Sequence, residues 1–213
     1  MARSPNEADA LFREMIVEYL DPVFSPVGFK RQKNSTWFSR SLKAALQKME
    51  IASSRPRYSD DTSDLHIAPI MRIKMPAIEN VLRDLIGDLN LLADSSCSVV
   101  AQTIGVVGPR RTLEEWRPRG KSGFSESGKS LAVFCQEWVI PFFDEYCRPE
   151  DIIKGYEKGD ERLPRGTEWS LVVASAYISL GNRKQARELL TERIASKPGL
   201  KKRYAHALDH VGA

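Results

Sequence analysis

The string Gly123-Phe124-Ser125-Glu126-Ser127-Gly128-Lys129-Ser130 carries the sharpest chemical signal in the chain, because it matches the phosphate-loop pattern G-x-x-x-x-G-K-[ST] residue for residue. In a working loop of that kind, Gly123 and Gly128 open backbone N–H groups to phosphate, Lys129 reaches the terminal phosphates, and Ser130 ligates the magnesium of a Mg-nucleotide. A helical pattern follows, as that chemistry requires. The preceding residues do not suit it: Leu113-Glu114-Glu115-Trp116-Arg117-Pro118-Arg119-Gly120 is no buried strand, and Leu91-Leu92-Ala93-Asp94 closes a helical pattern instead of supplying a magnesium-binding strand end. With Gly at about 7% of residues, the pattern arises by chance in roughly one chain in a hundred of this length, so the octet alone does not establish a nucleotide site. Its plainer reading is a flexible loop in which Ser127 caps the helix that follows.

The other groups that could do chemistry are sparser. Asp60, Asp61 and Asp64 lie in the polar stretch 55–64, where three acids are more often solvated than metal-bound. His206 and His210 stand one helical turn apart with Asp209 between them, a metal-ligand spacing without a visible third ligand. His66 is the remaining histidine, too few for a Ser/His/Asp or Cys/His arrangement. A basic segment, with Arg110, Arg111, Arg117, Arg119, Lys121 and Lys129 around Trp116, could meet phosphates, but Glu114, Glu115 and Glu126 dilute it. Cys97, Cys135 and Cys147 are odd in number and lack a Cys-x-x-Cys spacing, so they signal neither a disulfide framework nor zinc, and they suit a reducing cytoplasm.

Positioning these groups falls to an alternation of elements. Leu11, Phe12, Met15, Ile16, Tyr19 and Leu20 share one helical face, and Pro22 and Pro26 break that helix. The stretch 26–40 is the junction around which the rest is organised: Gly28 suits a reversal, Phe29 a buried ring, and 35–40 a strand. Period-two runs at 36–40, 44–54 and 65–73 predict an antiparallel meander, with Pro69 at an edge or bulge. A helix from Pro76 carries Ile78, Val81, Leu82, Leu85, Ile86 and Leu89, and 98–107 reads as a fourth strand. A basic, turn-rich segment follows from Arg110 to Ser130, and the remainder is helical. Thr167 as cap, Gly181 as terminator and Asn182 with Gln185 as a capping-box-like start predict a helical hairpin over 167–196. The spacing Tyr177, Gly181, Ala186, Leu190, Pro198 resembles one tetratricopeptide unit, with no second copy.

A chain of 213 residues with 42% hydrophobic residues can build a sizeable core, and its net charge of +4 is too small to argue for nucleic acid. The opening residues show no apolar signal core, and no apolar run is long enough for a membrane span. The expected protein is therefore soluble and cytoplasmic, with no membrane partner.

In the helix before Pro22, in Pro26-Val27-Gly28-Phe29-Lys30-Arg31, in Thr36-Trp37-Phe38, at Gln47, in Ile140-Pro141-Phe142-Phe143-Asp144 and in the closing 174–190 hairpin, the chain resembles a bacterial family catalogued as domain of unknown function four-three-zero-four. The resemblance covers most of the chain, although this one inserts the acidic 55–64 loop. It implies an α+β domain and brings no established activity or site residue.

These readings together predict an α+β fold: an antiparallel sheet of about four or five strands with helices packed on one face, then an all-helical C-terminal part. The expected division is an α+β domain over 1–148 and a helical part over 149–213. The leading functional expectation is a non-catalytic protein-binding protein, regulatory or immunity-like, whose helical hairpin or free sheet face meets another protein and which needs no cofactor. The alternative is a Mg-nucleotide or phosphate site at Gly123, Gly128, Lys129 and Ser130, and nucleic-acid binding ranks last.

Overall fold

The computed structural model describes residues 5–58, 60–86, 98–166 and 168–212. The expected positions Leu89, Cys97 and Thr167, and the segment 91–94, lie outside them. The chain begins with α1 (Pro5–Met15), a π-helical turn (Ile16–Leu20), α2 (Asp21–Phe24), and strands β1 (Lys30–Arg31), β2 (Trp37–Ser41) and β3 (Leu46–Glu50). Next come β4 (Ser53–Ser54), β5 (His66–Ile67), β6 (Ile70–Lys74), α3 (Pro76–Ile86), β7 (Val100–Thr103) and α4 (Gly120–Phe134). A second π-helical turn (Cys135–Val139) leads to α5 (Ile140–Glu145), α6 (Pro149–Glu157), α7 (Trp169–Ser179), α8 (Arg183–Ser196) and α9 (Lys201–Gly212).

The fold is α+β, with a five-stranded antiparallel sheet in the order β1-β2-β3-β6-β7, packed helices and a helical C-terminal part. The expected strand 44–54 is split into β3 and β4, and 65–73 into β5 and β6, with β4 and β5 forming a separate two-stranded ribbon. Pro69 sits at the second split, where it has no N–H to give and its carbonyl accepts from Ile104 N–H at 3.1 Å. The fourth expected strand is cut short because Ile104–Val107 turns into a 3-10 helix. Gly105 in that turn admits the close approach of the chain at 112–114, since a Cβ there would lie 1.9 Å from the Thr112 carbonyl oxygen.

Two compact units share the chain, one made of Met1–Ser41, Leu46–Arg72 and Ala101–Asp144, the other of Leu42–Ala45, Ile73–Val100 and Glu145–Ala213. Both are discontinuous in sequence, whereas the sequence reading placed a single boundary between Arg148 and Pro149.

In the first unit the junction after α2 organises the core. Gly28 takes φ +86°, in the left-handed region, and so ends the helix and turns the chain into β1. Phe29 is then buried beside Phe24, with ring centroids 5.2 Å apart, and beside Phe143 at 5.3 Å, while Phe24 stacks on Phe38 at 4.6 Å. Arg40 braces this cluster: its guanidinium lies 4.7 Å from the Phe29 ring centre and donates to Gln47, the Val27 carbonyl and Asp144. Gln47, fully buried on the covered face of β3, is satisfied by accepting from Arg40 and donating to the Phe143 carbonyl.

In the second unit α7 is the central helix. Eight consecutive residues, Trp169 through Ala176, are buried, which a helix achieves only when it is covered on all sides. α3, α6 and α8 pack on it, and α9 packs on α3 and α8. The expected α7–α8 hairpin is present, with Ala174, Ala186 and Leu190 buried and Gly181 at φ +82° ending the first helix. The capping-box start at Asn182 is not: its side chain makes no capping hydrogen bond.

Candidate functional site

The octet Gly123–Ser130 is helical from end to end, lying inside the fifteen-residue α4. The expectation of a flexible loop capped at Ser127 is therefore corrected: the helix starts at Gly120, and the N–H groups from Phe124 onward are engaged in its own ladder. Gly128 is buried, and a Cβ there would lie 2.4 Å from Tyr19 Cδ2 and 2.7 Å from Met15 Cγ, so its smallness lets α4 and the N-terminal helix approach closely. Gly123 lies against Pro118, Lys129 is exposed, and the exposed Ser130 hydroxyl accepts from Trp116 Nε1 at 3.2 Å. A carboxylate already stands at the α4 N-terminus, where a phosphate would bind: Asp64 Oδ2 accepts from Gly120 N–H at 2.8 Å.

The other sequence-derived candidates also have structural employment. Asp61 accepts from the Ser63 hydroxyl and N–H and pairs with His66, and those three contacts, the Ser63 hydroxyl foremost, hold its carboxyl down at about 2. Arg110 pairs with Glu114, Arg117 with Glu115, and Arg119 donates to Thr62, so the basic segment is laced to its own acids and hydroxyls. His206 Nε2 contacts the Asp84 carbonyl, and among the described residues no group of three or more His, Cys, Asp or Glu is placed to hold a metal. Cys135 is fully buried, and burial pushes its thiol up, which removes the thiolate that reactivity needs.

A free sheet face was one of the two surfaces on which the sequence reading expected a partner, but it assigned no residues to the open face in the first unit. Cross-strand register sorts the side chains: the rows Lys30–Ser39–Lys48 and Trp37–Glu50 fall on one face, and the row Arg31–Phe38–Met49 on the other. Phe38, Met49 and Met71 are buried, whereas Trp37 remains 38% exposed. Two cations lie near its ring, Lys48 Nζ at 5.8 Å and the Arg72 guanidinium at 5.7 Å from the centre. Arg72 is incompletely satisfied: it reaches Glu50 only at 3.4 Å, and its Nε, shielded from solvent, donates to no group.

Such a surface offers a flat apolar ring together with guanidinium and ammonium donors, the combination that binds an acidic chain carrying an apolar or aromatic side chain. The sequence signal for it was Trp37 in a period-two run; its two cations come from other strands, Lys48 from β3 and Arg72 from β6. No protein family, no curated protein and no solved structure matches this chain. Among the described residues no helix is long and apolar enough to cross a membrane.

Proposed function

We propose that the chain is a non-catalytic, regulatory or immunity-like protein that binds another protein, and that the open sheet face around Trp37 receives an acidic segment of that partner. The single observation that carries this reading is Trp37, 38% exposed beside Lys48 and an Arg72 whose Nε lacks an acceptor. Lys30, Lys48 and Arg72 face one acid, Glu50, so the patch is complementary to carboxylates. Trp and Arg are also the residue types that dominate interface energies. A nucleic-acid occupant is less well supported, since stacking platforms use successive aromatics and Trp37 is the one aromatic that β2, β3 and β6 present on this face.

The test is affinity capture followed by mapping of the identified partner, with an acidic peptide containing Glu, Asp and Leu as competitor. The expected result is a partner released by that peptide and by raised salt, and lost in Trp37→Ala and Arg72→Ala while both variants keep the wild-type melting temperature. A partner held equally by both variants would refute the site. Displacement by single-stranded oligonucleotide but not by the peptide would reassign the face to nucleic acid.

A further inference from the structure

A second feature lies wholly within the second unit and is independent of the sheet face. The end of α6, the connector after it and the first turn of α7 enclose a cleft of about 200 Å³, to which α8 contributes Arg193. Leu163 and Trp169, both nearly fully buried, supply apolar wall, and Ser170 lies beside them at the start of α7. Arg193 is the unusual member: its Nε is shielded from solvent and donates to no group, a desolvated donor that a folded protein rarely leaves unused. Arg165 stands at the rim, held only by an exposed ion pair with Glu161 at 2.9 Å.

The one carboxylate in the wall is already neutralised. Asp160 accepts from Arg162 through Nε, Nη2 and the backbone N–H, and from the Tyr146 hydroxyl. Arg193 faces the cleft with an unpartnered Nε, and Arg165 adds a second guanidinium whose exposed pair with Glu161 leaves it free to turn to a ligand.

We propose that this cleft is a binding site for a small oxyanion-headed organic molecule, its carboxylate or phosphate taken by Arg193 and Arg165 and its apolar body lying against Trp169 and Leu163. An apolar cavity of ~150 Å³ holds benzene, so this cleft suits a ligand of about eight non-hydrogen atoms.

Isothermal titration of the full chain with benzoate, phenyl phosphate, inorganic phosphate and the neutral benzamide tests it. The expected result is saturable binding of benzoate or phenyl phosphate, and none of benzamide, with the stronger of the two naming the head group. Arg193→Met should weaken that binding about tenfold or more, because a charge-assisted hydrogen bond is lost, with Arg193→Lys intermediate and Arg165→Ala a smaller loss. Absence of saturable binding by any oxyanion up to about 10 mM, equal affinity in Arg193→Met, or benzamide binding as well as benzoate would each overturn the proposal. Should Arg193→Met fail to fold, the benzoate and benzamide comparison on the wild-type chain still decides.

Discussion

Replacing Gly128 by Ala separates the two uses to which a glycine in this octet can be put. In a helix interior the change should gain up to ~1 kcal/mol, because Ala has the higher helix propensity. At this position the new Cβ would stand 2.4 Å from Tyr19 Cδ2, 2.9 Å from Tyr19 Cγ and 2.7 Å from Met15 Cγ, against about 3.5–4.0 Å for an ordinary carbon contact. Neither neighbour gives way freely. Met15 is 2% exposed, and the Tyr19 ring is tethered by a 2.6 Å hydrogen bond between its hydroxyl and Ser125 Oγ, on α4 itself.

Overpacking costs ~1–3 kcal/mol, and the large overlap places Gly128→Ala near the upper end, for a net loss of about 1–2 kcal/mol after the propensity gain. For a chain of this length that is a fall in melting temperature of about 2–8 °C. Thermal or urea unfolding measures it, with Gly123→Ala as the comparison, since a Cβ there meets Pro118 no closer than 3.3 Å. In a Tyr19→Phe background the tether is gone and the cost should shrink, giving a coupling term in a double-mutant cycle. The reasoning is refuted if Gly128→Ala is as stable as wild type. It is equally refuted if Mg-ATP raises the wild-type melting temperature and Lys129→Ala abolishes that shift, since Gly128 would then be serving phosphate.

Three further outcomes follow from buried groups. Ala186→Glu places a charge at a fully buried position between α7 and α8 and should cost a few kcal/mol in unfolding measurements. At Asp160, burial alone would raise the carboxyl, but hydrogen bonds from Arg162 and Tyr146 outweigh it and hold it at about 2, below the ordinary 3.8. Its contribution is thus present above the ordinary value and lost as pH falls from about 4 towards 2; after solvent screening Asp160→Asn should cost about 1 kcal/mol at neutral pH and nothing at the acid limit. Glu79 is the opposite case, since burial raises its carboxyl against the pull of Lys74 and Arg83, and its Oε1 has no partner. Stability tied to it is full below the ordinary glutamate range and is lost as pH rises through the raised value, so Glu79→Gln should unfold at higher temperature than wild type at neutral pH and match it in acid.

The elements that were legible are those whose cause is local. The reversal at Gly28, the end of α7 at Gly181 and the helix opened by Pro76 follow from backbone preferences of single residues, and each stands where its residue type demands. Alternation along β2 and β3 was legible for the same reason. Gln47 broke the pattern: a polar side chain on the covered face is tolerable only because Arg40 and the Phe143 carbonyl complete its hydrogen bonds, and the latter lies 96 residues away. The splitting of two expected strands was likewise decided by distant partners, as where Ile67 pairs with Trp116 and Ala68 with Ala52.

The candidate site was illegible for a sharper reason. A glycine followed by lysine and serine is written identically whether the glycine bares its backbone to a phosphate or admits a neighbouring helix, and the difference lies in what stands opposite. Here Tyr19 and Met15 stand opposite Gly128, and the Asp64 carboxylate stands at the helix start. A ligand phosphate would have to displace that carboxylate, and Gly128 would still be walled off by two side chains. The reverse holds for Trp37, whose letters announced only a strand. Its exposure and its two cations arise from the pairing of β2 with β3 and the placing of β6 beside them, so the chemical character of that face belongs to the sheet as a whole and to no single stretch of sequence.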